Sequence, residues 1–332
     1  MRYRPLGKSG IEASAVGFGA WALGGWMWGG TDKNDPTGAI HAAIDHGITL
    51  FDTAPMYGYG HSEEVVGQAL KGRRDKVVLA TKCGLNWWSK EGEKFFDANE
   101  LGRADDEIKH EVFRNLRPKE IRYELEQSLR RLQTEWIDLY QTHWQEATTP
   151  LEDTMAELLK MKQEGKIRAI GCSNATIDQL KRYLAVGELD SDQEQYSMLQ
   201  RQHEQANLSF CAEQQIALLA YSPLALGILS GKIGSGRKFN RGDVRVTNPW
   251  YQPENRSKVD RLLAKLQDVA VAKGATVSQV VVAWTISQHG CSHALVGARD
   301  AEQAAANAKA GELELTADEL KSIRRIVDET NL

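Results

Sequence analysis

Residues 50–70, "LFDTAPMYGYGHSEEVVGQAL", decide the fold because an apolar strand passes into a helix within them. Asp52 ends the strand, Tyr57 lies in the loop beyond it, and Gly58 and Gly60 follow. Glycine adopts the backbone angles of tight turns at little cost, so the chain is expected to turn sharply there. A buried acid and a phenol need hydrogen-bond partners, so further polar groups are expected at the same strand ends.

Strand–helix alternation recurs along the whole chain. Such alternation, sustained eight times, predicts a (β/α)8 TIM barrel rather than a doubly wound sheet, and we expect residues 1–332 to form a single barrel domain. The sixth strand segment is polar and is assigned only by its place in the series. The eight segments are "SAVGFGAW", "GITLFDTA", "KVVLATKC", "WIDLYQTHW", "KIRAIGCSN", "SDQEQYSML", "IALLAYSPL" and "HALVGAR".

Four further features are predicted in addition to the barrel. The opening "YRPLGKSGIEASAV" indicates a hairpin before the first barrel strand. "TADELKSIRRIVDET", which begins with a threonine cap, predicts an extra C-terminal helix. The loops after strands three and seven, residues 84–116 and 227–254, are long, and long loops in compact domains are usually functional.

Composition excludes several classes of function. The net charge of −4 argues against nucleic acid as the partner, since nucleic-acid-binding domains carry a basic face. No run of about 18 apolar residues is present, so we expect no membrane span. The N-terminus has no apolar signal segment, and the four cysteines are dispersed without any C-x-x-C pair. These features favour a cytoplasmic protein with free thiols.

A glycine motif after the first strand resembles a dinucleotide-binding fingerprint. Gly17, Gly19 and Ala22 match G-x-G-x-x-A. That fingerprint must open a helix and precede an acid by about 20 residues, whereas "WALGGWMWGGTDKN" has no helical period. We therefore interpret this segment as a tryptophan-bearing loop over the barrel mouth.

Four polar residues end three successive strands. In such barrels the chemistry lies at the C-terminal ends of the strands, where Asp52, Tyr57, Lys82 and His143 are predicted to converge. Each alone has a structural explanation, such as a cap, a rim aromatic, a solvated amine or a core histidine. Four polar groups facing one cavity would each need a partner, so together they indicate an active site.

These residue types suit proton transfer to a reacting oxygen. A free phenol has a pKa of about 10, and a nearby ammonium lowers that pKa. The ammonium in turn needs a carboxylate to stay charged when it is desolvated. The expected chain runs from Asp52 through Lys82 to Tyr57, the proton donor, while His143 orients the substrate oxygen.

A metal site is the competing interpretation for one histidine pair. His289 and His293 have the i, i+4 spacing of helical zinc ligands. They precede the eighth strand, on the face of the barrel associated with stability, so we expect no metal there.

At this point the residues resemble a known family, the aldo-keto reductase superfamily, over nearly the whole chain. The likeness is greatest to bacterial general aldo-keto reductases, which also resemble potassium-channel β-subunits. It implies a nicotinamide-dependent barrel that interconverts a carbonyl (aldehyde, ketone or sugar) and its alcohol. In that family Tyr57 would be the general acid/base, with Asp52, Lys82 and His143 completing a tetrad. The matching segments are "GFGAW", "FDTAPMYGYGHSEEVVGQAL", "ATKCG", "IDLYQTHW", "EGKIRAIGCSN", "QEQYSMLQR", "AYSPLALGILSGK" and "VGARDAEQAAAN".

The resemblance also implies a set of cofactor residues. Tyr221 would stack on the nicotinamide ring. Arg299 is the only cation in its segment before Lys309, and a guanidinium matches a 2′-phosphate, so NADPH/NADP+ is favoured and NADH stays possible. The implied residues are Ala20, Trp21, Asp52, Ser173, Asn174, Gln195, Tyr221, Ser222, Leu224, Lys232, Arg245, Gly297, Arg299, Gln303 and Asn307.

The mouth loops are rich in tryptophan, which bears on the substrate. Aromatic walls suit the faces of sugars or of polycyclic alcohols, and the sequence leaves that choice open. The expected partner is a small-molecule carbonyl or alcohol. The candidate substrate residues are Trp21, Trp26, Trp87, Trp88 and Trp144.

Two other functions remain as alternatives. A nicotinamide-binding redox sensor or regulatory subunit with residual catalysis would bind the cofactor tightly and turn over slowly; an intact tetrad disfavours it. A metal-dependent barrel hydrolase or isomerase would need carboxylate and histidine clusters at several strand ends, which the sequence lacks. The oligomeric state and the reaction direction stay open.

Overall fold

The computed structural model describes residues 1–28, 35–98, 110–234, 236–240 and 242–330. Thirteen strands are assigned in this part of the chain. In chain order they are β1 (Tyr3–Pro5), β2 (Glu12–Ser14), β3 (Val16–Gly19), β4 (Leu50–Asp52), β5 (Val78–Cys83), β6 (Leu85–Asn86), β7 (Glu93–Asp97), β8 (Glu111–Arg114), β9 (Ile137–Thr142), β10 (Ile167–Ser173), β11 (Ser191–Gln195), β12 (Ala217–Tyr221) and β13 (Cys291–Gly297).

Ten α-helices accompany these strands in the described ranges. They are α1 (Pro36–Asp45), α2 (His61–Ala69), α3 (Pro118–Leu132), α4 (Leu151–Gln163), α5 (Ile177–Val186), α6 (Asn207–Gln214), α7 (Pro253–Ala272), α8 (Val277–Ile286), α9 (Ala301–Ala310) and α10 (Ala317–Glu329). No single one of them is long and apolar enough to cross a membrane; only α7 and α8 taken together, bent by 89°, pass by length and composition.

Eight parallel strands close into a barrel, which confirms the predicted (β/α)8 fold. Their order around the barrel is β3, β4, β5, β9, β10, β11, β12 and β13, so neighbours in the barrel follow one another along the chain. Seven of the eight predicted segments contain one of these strands in full, including the polar sixth segment, which forms β11. The eighth strand, β13, begins at Cys291, two residues before the predicted segment.

The predicted additions at the two ends of the chain are also present. β1 and β2 form an antiparallel hairpin, and its Leu6 and Ala13 are fully buried against the residues inside the lower barrel. At the other end, Thr316 caps α10 through a reciprocal hydrogen-bond pair with Glu319. The hairpin therefore closes the bottom of the barrel and leaves the top to the loops.

The barrel interior is layered because successive side chains on a strand point to opposite faces. A lower layer is apolar and includes Leu50, Ala80 and Leu139. Two residues further along the same three strands the interior side chains are Asp52, Lys82 and Gln141, all of them polar and buried. The strand period thus places a polar layer directly beneath the mouth.

The long segment after β5 is more regular than the loop expected there. β6, β8 and β7 form a three-stranded antiparallel sheet, and the remainder of the segment, residues 99–109, lies outside the described ranges. The segment after β12 is long, as predicted, and its Val244 N–H donates to the carbonyl of Met27 at 3.0 Å. The loops after the first and seventh barrel strands are therefore joined above the barrel.

Two glycines let the mouth loops approach each other closely. Gly58 has φ +70°, and a Cβ added there would lie 2.3 Å from the carbonyl oxygen of Gly24. Such a position combines a left-handed backbone with contact to another backbone, so neither the residue nor its neighbour can relax easily.

We therefore expect Gly58→Ala to lower the free energy of unfolding by about 1–3 kcal/mol more than Gly72→Ala. Gly72 is the matched control because it has a similar φ, +74°, with no atom within 4 Å of its added Cβ. Urea unfolding of the two variants measures the difference. Equal losses would mean that the approach to Gly24 carries no energetic constraint.

Candidate active site

The buried ammonium of Lys82 connects the polar residues at the barrel mouth. Its Nζ lies 2.9 and 2.7 Å from the two carboxylate oxygens of Asp52. It also donates to the carbonyl oxygen of Thr53 and to the phenol oxygen of Tyr57, each at 3.0 Å. Lys82 is fully buried and Asp52 is 3% exposed, so the ion pair is shielded from water.

These hydrogen bonds fix the direction of the Tyr57 proton. An ammonium has three protons and no acceptor, so in the contact with Tyr57 the phenol oxygen must accept. The phenol proton is then available to a different acceptor. Tyr57 lines the cavity described below, and a ligand oxygen there can take that hydrogen bond.

The pKa of Tyr57 differs from the value expected from Lys82 alone. Burial raises the pKa of Tyr57 above its ordinary value, the charge of Lys82 lowers it and the charge of Asp52 raises it again. The net effect is an increase, so the expectation of a lowered pKa is wrong for the protein without ligand. The physical reason is that desolvation of a phenolate outweighs one ammonium whose charge Asp52 largely balances.

Lys82 itself stays charged. Burial lowers its pKa, but the adjacent Asp52 carboxylate and the Tyr57 oxygen more than compensate, and the net pKa lies above the ordinary value. His143 shows the opposite behaviour, because burial and then the nearby charge of Lys82 hold its pKa well below the usual range. Its imidazole is therefore neutral at neutral pH, and it contacts the Tyr57 ring edge-on with centroids 5.8 Å apart.

Two glutamines complete the buried polar layer and were missed by sequence reasoning. Gln193 donates to Asp52 Oδ1 at 2.9 Å, and Gln141 approaches the same oxygen at 3.4 Å. Both are buried, on β11 and β9. Gly171 makes room for Gln141, since a Cβ there would lie 2.8 Å from Gln141 Cγ. The signal in the sequence was their place on the interior face of their strands, two residues after Leu139 on β9 and Ser191 on β11.

A long cavity extends from this polar layer across the mouth. Tyr57 and Asp52 line one end, and the other end is lined by residues that follow β12 and β13. Eleven of the fifteen candidate cofactor residues line it. These are Trp21, Asp52, Tyr221, Ser222, Leu224, Lys232, Arg245, Gly297, Arg299, Gln303 and Asn307.

The far end of the cavity is cationic and enclosed by Trp28. The indole of Trp28 lies close to two guanidinium groups, with distances from the ring centroid to the guanidinium carbon of 5.1 Å for Arg245 and 5.4 Å for Arg299. Arg245 is paired with Asp243, whereas Arg299 forms no ion pair with any residue in the described ranges. Trp28 Nε1 is buried and has no hydrogen-bond partner among these residues either. Arg237 and Ser278 also line this end and had not been singled out.

Four candidate cofactor residues do not line the cavity. Ala20 and Ser173 are each 1% exposed, and Ser173 Oγ donates to the Gln193 carbonyl at 2.8 Å. Asn174 lies behind Tyr221 and accepts a hydrogen bond from its hydroxyl at 2.9 Å. Gln195 is partly buried at the end of β11, beside Tyr221 in the sheet register. Direct cofactor contacts for these four stay predictions, and Gln193 is the glutamine that reaches the polar layer.

The candidate substrate tryptophans fall into two groups. Trp21 lines the cavity and lies 6.1 Å from the Tyr57 ring, centroid to centroid. The others belong to an aromatic cluster around Met56, in which Trp26 is 4% exposed. Trp88 lies at the outer edge of that cluster, where its indole N–H donates to Glu120 at 2.9 Å. None of these outer tryptophans lines the cavity, and their role in substrate binding stays a prediction.

The histidine pair does not form a metal centre in the described chain. His293 lies within β13 rather than before it, fully buried, with Nδ1 3.0 Å from the carbonyl oxygen of Ser14. Burial lowers the pKa of His293 to about 4. No three His, Cys, Asp or Glu residues within the described ranges are arranged to hold a metal ion.

The cavity fits an anionic dinucleotide. At the ends of β3 and β13 the lining includes bare backbone, because Gly19 and Gly297 are register partners, with an added Gly297 Cβ 3.6 Å from the Gly19 carbonyl. Lys232, Arg237 and Arg299 supply positive charge at the far end, where phosphate groups would lie. The residues at the near end are uncharged or internally paired, which suits the uncharged ring of a reduced nicotinamide.

Comparison with known proteins gives the same assignment. The family model "Aldo/keto reductase family" matches residues 15–328. The chain belongs to the aldo-keto reductase family. It is 38% identical to the NADH-specific methylglyoxal reductase of Escherichia coli (strain K12) over 334 residues, which cover 99% of each protein.

Two solved structures support the fold in detail. The glycerol dehydrogenase AKR11B4 from Gluconobacter oxydans superposes with a TM-score of 0.86 at 37% identity, covering 99% of this chain and 95% of that one. An aldo/keto reductase from Klebsiella pneumoniae, solved in complex with NADP and acetate, gives 0.71 at 28% identity, covering 98% and 96%. Aldo-keto reductases use NADPH or NADH, so the expected nicotinamide cofactor is confirmed at the level of the family.

The buried ion pair makes a direct prediction for stability. Lys82→Met leaves the Asp52 carboxylate buried without its cation, so we expect the free energy of unfolding to fall by about 3–5 kcal/mol. The double variant Asp52→Asn/Lys82→Met removes the unpaired charge and should recover part of that loss. Denaturant unfolding at pH 7 tests both. A single variant as stable as the wild type, or a double variant no better than the single, would contradict the assignment.

Proposed function

We propose that this aldo-keto reductase catalyses NADPH-preferring reduction of a small carbonyl compound, with Tyr57 as the proton donor. The observation that carries the proposal is the hydrogen bond from Lys82 Nζ to Tyr57 OH at the near end of a cavity with a cationic far end. Bound NADPH or NADH supplies the hydride to the carbonyl carbon. The protein contributes the proton, the orientation of the carbonyl and the exclusion of water.

Tyr57 and His143 have different roles at the carbonyl oxygen. The Tyr57 proton points away from Lys82 and is donated as the oxygen gains negative charge. Burial keeps the His143 imidazole neutral. It therefore orients the same oxygen through a hydrogen bond and does not become an imidazolium. Lys82 then stabilises the phenolate left on Tyr57, and Asp52 keeps Lys82 charged.

The protonation states favour carbonyl reduction over alcohol oxidation at neutral pH. Reduction needs the phenol form of Tyr57, and oxidation needs the phenolate as base. Since burial raises the pKa of Tyr57, the phenol form persists into the alkaline range. The oxidative reaction is therefore expected to speed up as the pH rises towards that pKa.

The proposed substrate is an uncharged aldehyde, ketone or sugar. The two relatives described above are named for methylglyoxal reduction and glycerol oxidation, both small uncharged compounds. Trp21 beside Tyr57 offers an apolar face of the kind that packs on sugar rings. A cytoplasmic location is consistent with four cysteines that are all buried and unpaired.

The central test is Tyr57→Phe, which removes the proton donor and keeps the ring. We expect the rate of aldehyde reduction to fall roughly 10²–10⁴-fold while the dissociation constant for NADPH stays unchanged. Steady-state kinetics and quenching of tryptophan fluorescence measure the two quantities. Tyr59→Phe, a change to another mouth tyrosine, is the control. A Tyr57→Phe enzyme with full turnover would disprove the proposal, and failure of the wild type to bind either dinucleotide would disprove the cofactor assignment.

Cofactor preference is tested by Arg299→Ala. A charged hydrogen bond is worth about 1.5–3 kcal/mol, so losing it should weaken NADPH binding roughly 10–100-fold and leave NADH binding nearly unchanged. Lys321→Ala on α10 removes the same charge from the surface and serves as the control. Equal weakening of NADPH and NADH would show that Arg299 does not read the 2′-phosphate.

A further inference from the structure

A ring of four polar side chains lies behind the barrel, on the outer side of β11. Asn207 Nδ2 donates to Asp192 at 2.8 Å, and its Oδ1 lies 2.9 Å from Nδ1 of His203. His203 Nε2 lies 3.4 Å from Glu194, which neighbours Asp192 on the same outer face of β11. Asp192, Glu194 and Asn207 are buried, and nothing in the proposed reaction uses any of them.

This ring holds both backbone groups of one residue. The N–H of Ala175 donates to Glu194 Oε1 at 2.8 Å, and the carbonyl of Ala175 accepts from Asn207 Nδ2 at 3.0 Å. Ala175 is therefore fixed from a buried scaffold rather than from its own loop. Because its N–H and its carbonyl are both held, Ala175 can move only if the ring itself rearranges.

The residue before Ala175 organises the near end of the cavity. Asn174 has a left-handed backbone with φ +55°. Its amide donates to the His143 carbonyl at 2.9 Å and accepts from the Tyr221 hydroxyl at 2.9 Å. One strained asparagine thus connects the strand that carries His143 with the aromatic ring that lines the cavity.

The ring can exist only if it retains a proton. Two carboxyl groups meet there out of contact with water, and burial, with the charge of Asp192 as a second cause, raises the pKa of Glu194 to about 9. Burial also raises the pKa of Asp192 to about 6. At neutral pH Glu194 is therefore a neutral acid that donates one hydrogen bond and accepts another, which a glutamine side chain can imitate.

We propose that Glu194 and Asn207 are positioning residues, which hold Ala175 so that Asn174 keeps Tyr221 and His143 in their places around the nicotinamide and the carbonyl. This inference rests on the proposed function, because it assigns the ring a part in that reaction. The ring touches neither ligand and acts only through Asn174. It also accounts for a strand that is polar on both faces.

Three variants separate positioning from simple stability. Glu194→Ala removes the acceptor of the Ala175 N–H, and Glu194→Gln keeps both hydrogen bonds. The matched control is Asp190→Ala: Asp190 is also a fully buried acid, and its side chain accepts from the backbone N–H of Ile170 at 2.9 Å, at the opposite end of the barrel. Each variant is assayed for NADPH and NADH affinity, for kcat and KM with methylglyoxal, and for urea unfolding.

We expect Glu194→Ala to lower kcat roughly 10–100-fold and to weaken dinucleotide binding, since small misplacements of reacting groups carry penalties of that size. Glu194→Gln should stay within about threefold of the wild type in both properties. Asp190→Ala should lose stability and keep its dinucleotide affinity and kcat. If Glu194→Ala does not fold, Asn207→Ala removes the other hydrogen bond to Ala175, and the same loss is expected from it.

Two results would overturn the inference. One is a Glu194→Ala enzyme with wild-type kcat and dinucleotide affinity, and the other is a Glu194→Gln enzyme as impaired as the alanine variant. The wild type, assayed in parallel, keeps the two proposals apart. If it binds no dinucleotide and reduces no carbonyl, the proposed function fails; if it does both and Glu194→Ala does too, only the positioning role fails.

Discussion

A fully buried ammonium group is the constraint on which the rest of the mouth depends. Lys82 cannot be left without acceptors at that depth, and its three protons are taken up by Asp52, the Thr53 carbonyl and Tyr57. The register of β4 and β5, with Asp52 opposite Ala80, places Lys82 two residues beyond it on the same face. A slip of one residue would turn Lys82 towards the helices, so the register and the proton donor are fixed by the same requirement.

The two ends of the cavity are held by different means. The near end is rigid because its polar groups are buried and paired with one another, which is the preorganisation that proton transfer needs. The far end depends on side chains from separate loops. Trp28 reaches there from the loop after β3 and lies beside Arg245 and Arg299, which come from the segments after β12 and β13. Under the proposed function, dinucleotide affinity and carbonyl chemistry would therefore be set by different parts of the chain.

Several departures from the sequence predictions share one cause. The sequence of β11 indicates a strand only weakly because both of its faces are polar. Gln193 completes the layer beneath Tyr57, while Glu194 belongs to the ring behind the barrel. The pKa of Tyr57 depends on how far burial outweighs one ammonium, and a sequence does not give burial. Trp26, a candidate substrate residue, is packed inside an aromatic cluster and does not line the cavity. In each case the deciding quantity is the number of neighbouring atoms.

The sequence by itself determined the eightfold alternation, the hairpin before it, the helix after it and the polar residues at the strand ends, because these follow from local periodicity and capping. Only the tertiary structure decided which side chains meet. Gln193 and Asp52 are 141 residues apart and share a hydrogen bond because barrel closure brings their strand ends to one layer. Trp28 lies beside Arg245 and Arg299 for the same reason. Local patterns repeat within a few residues, whereas a hydrogen-bond partner or a burial depth is set by contacts that the chain makes only after the barrel has closed.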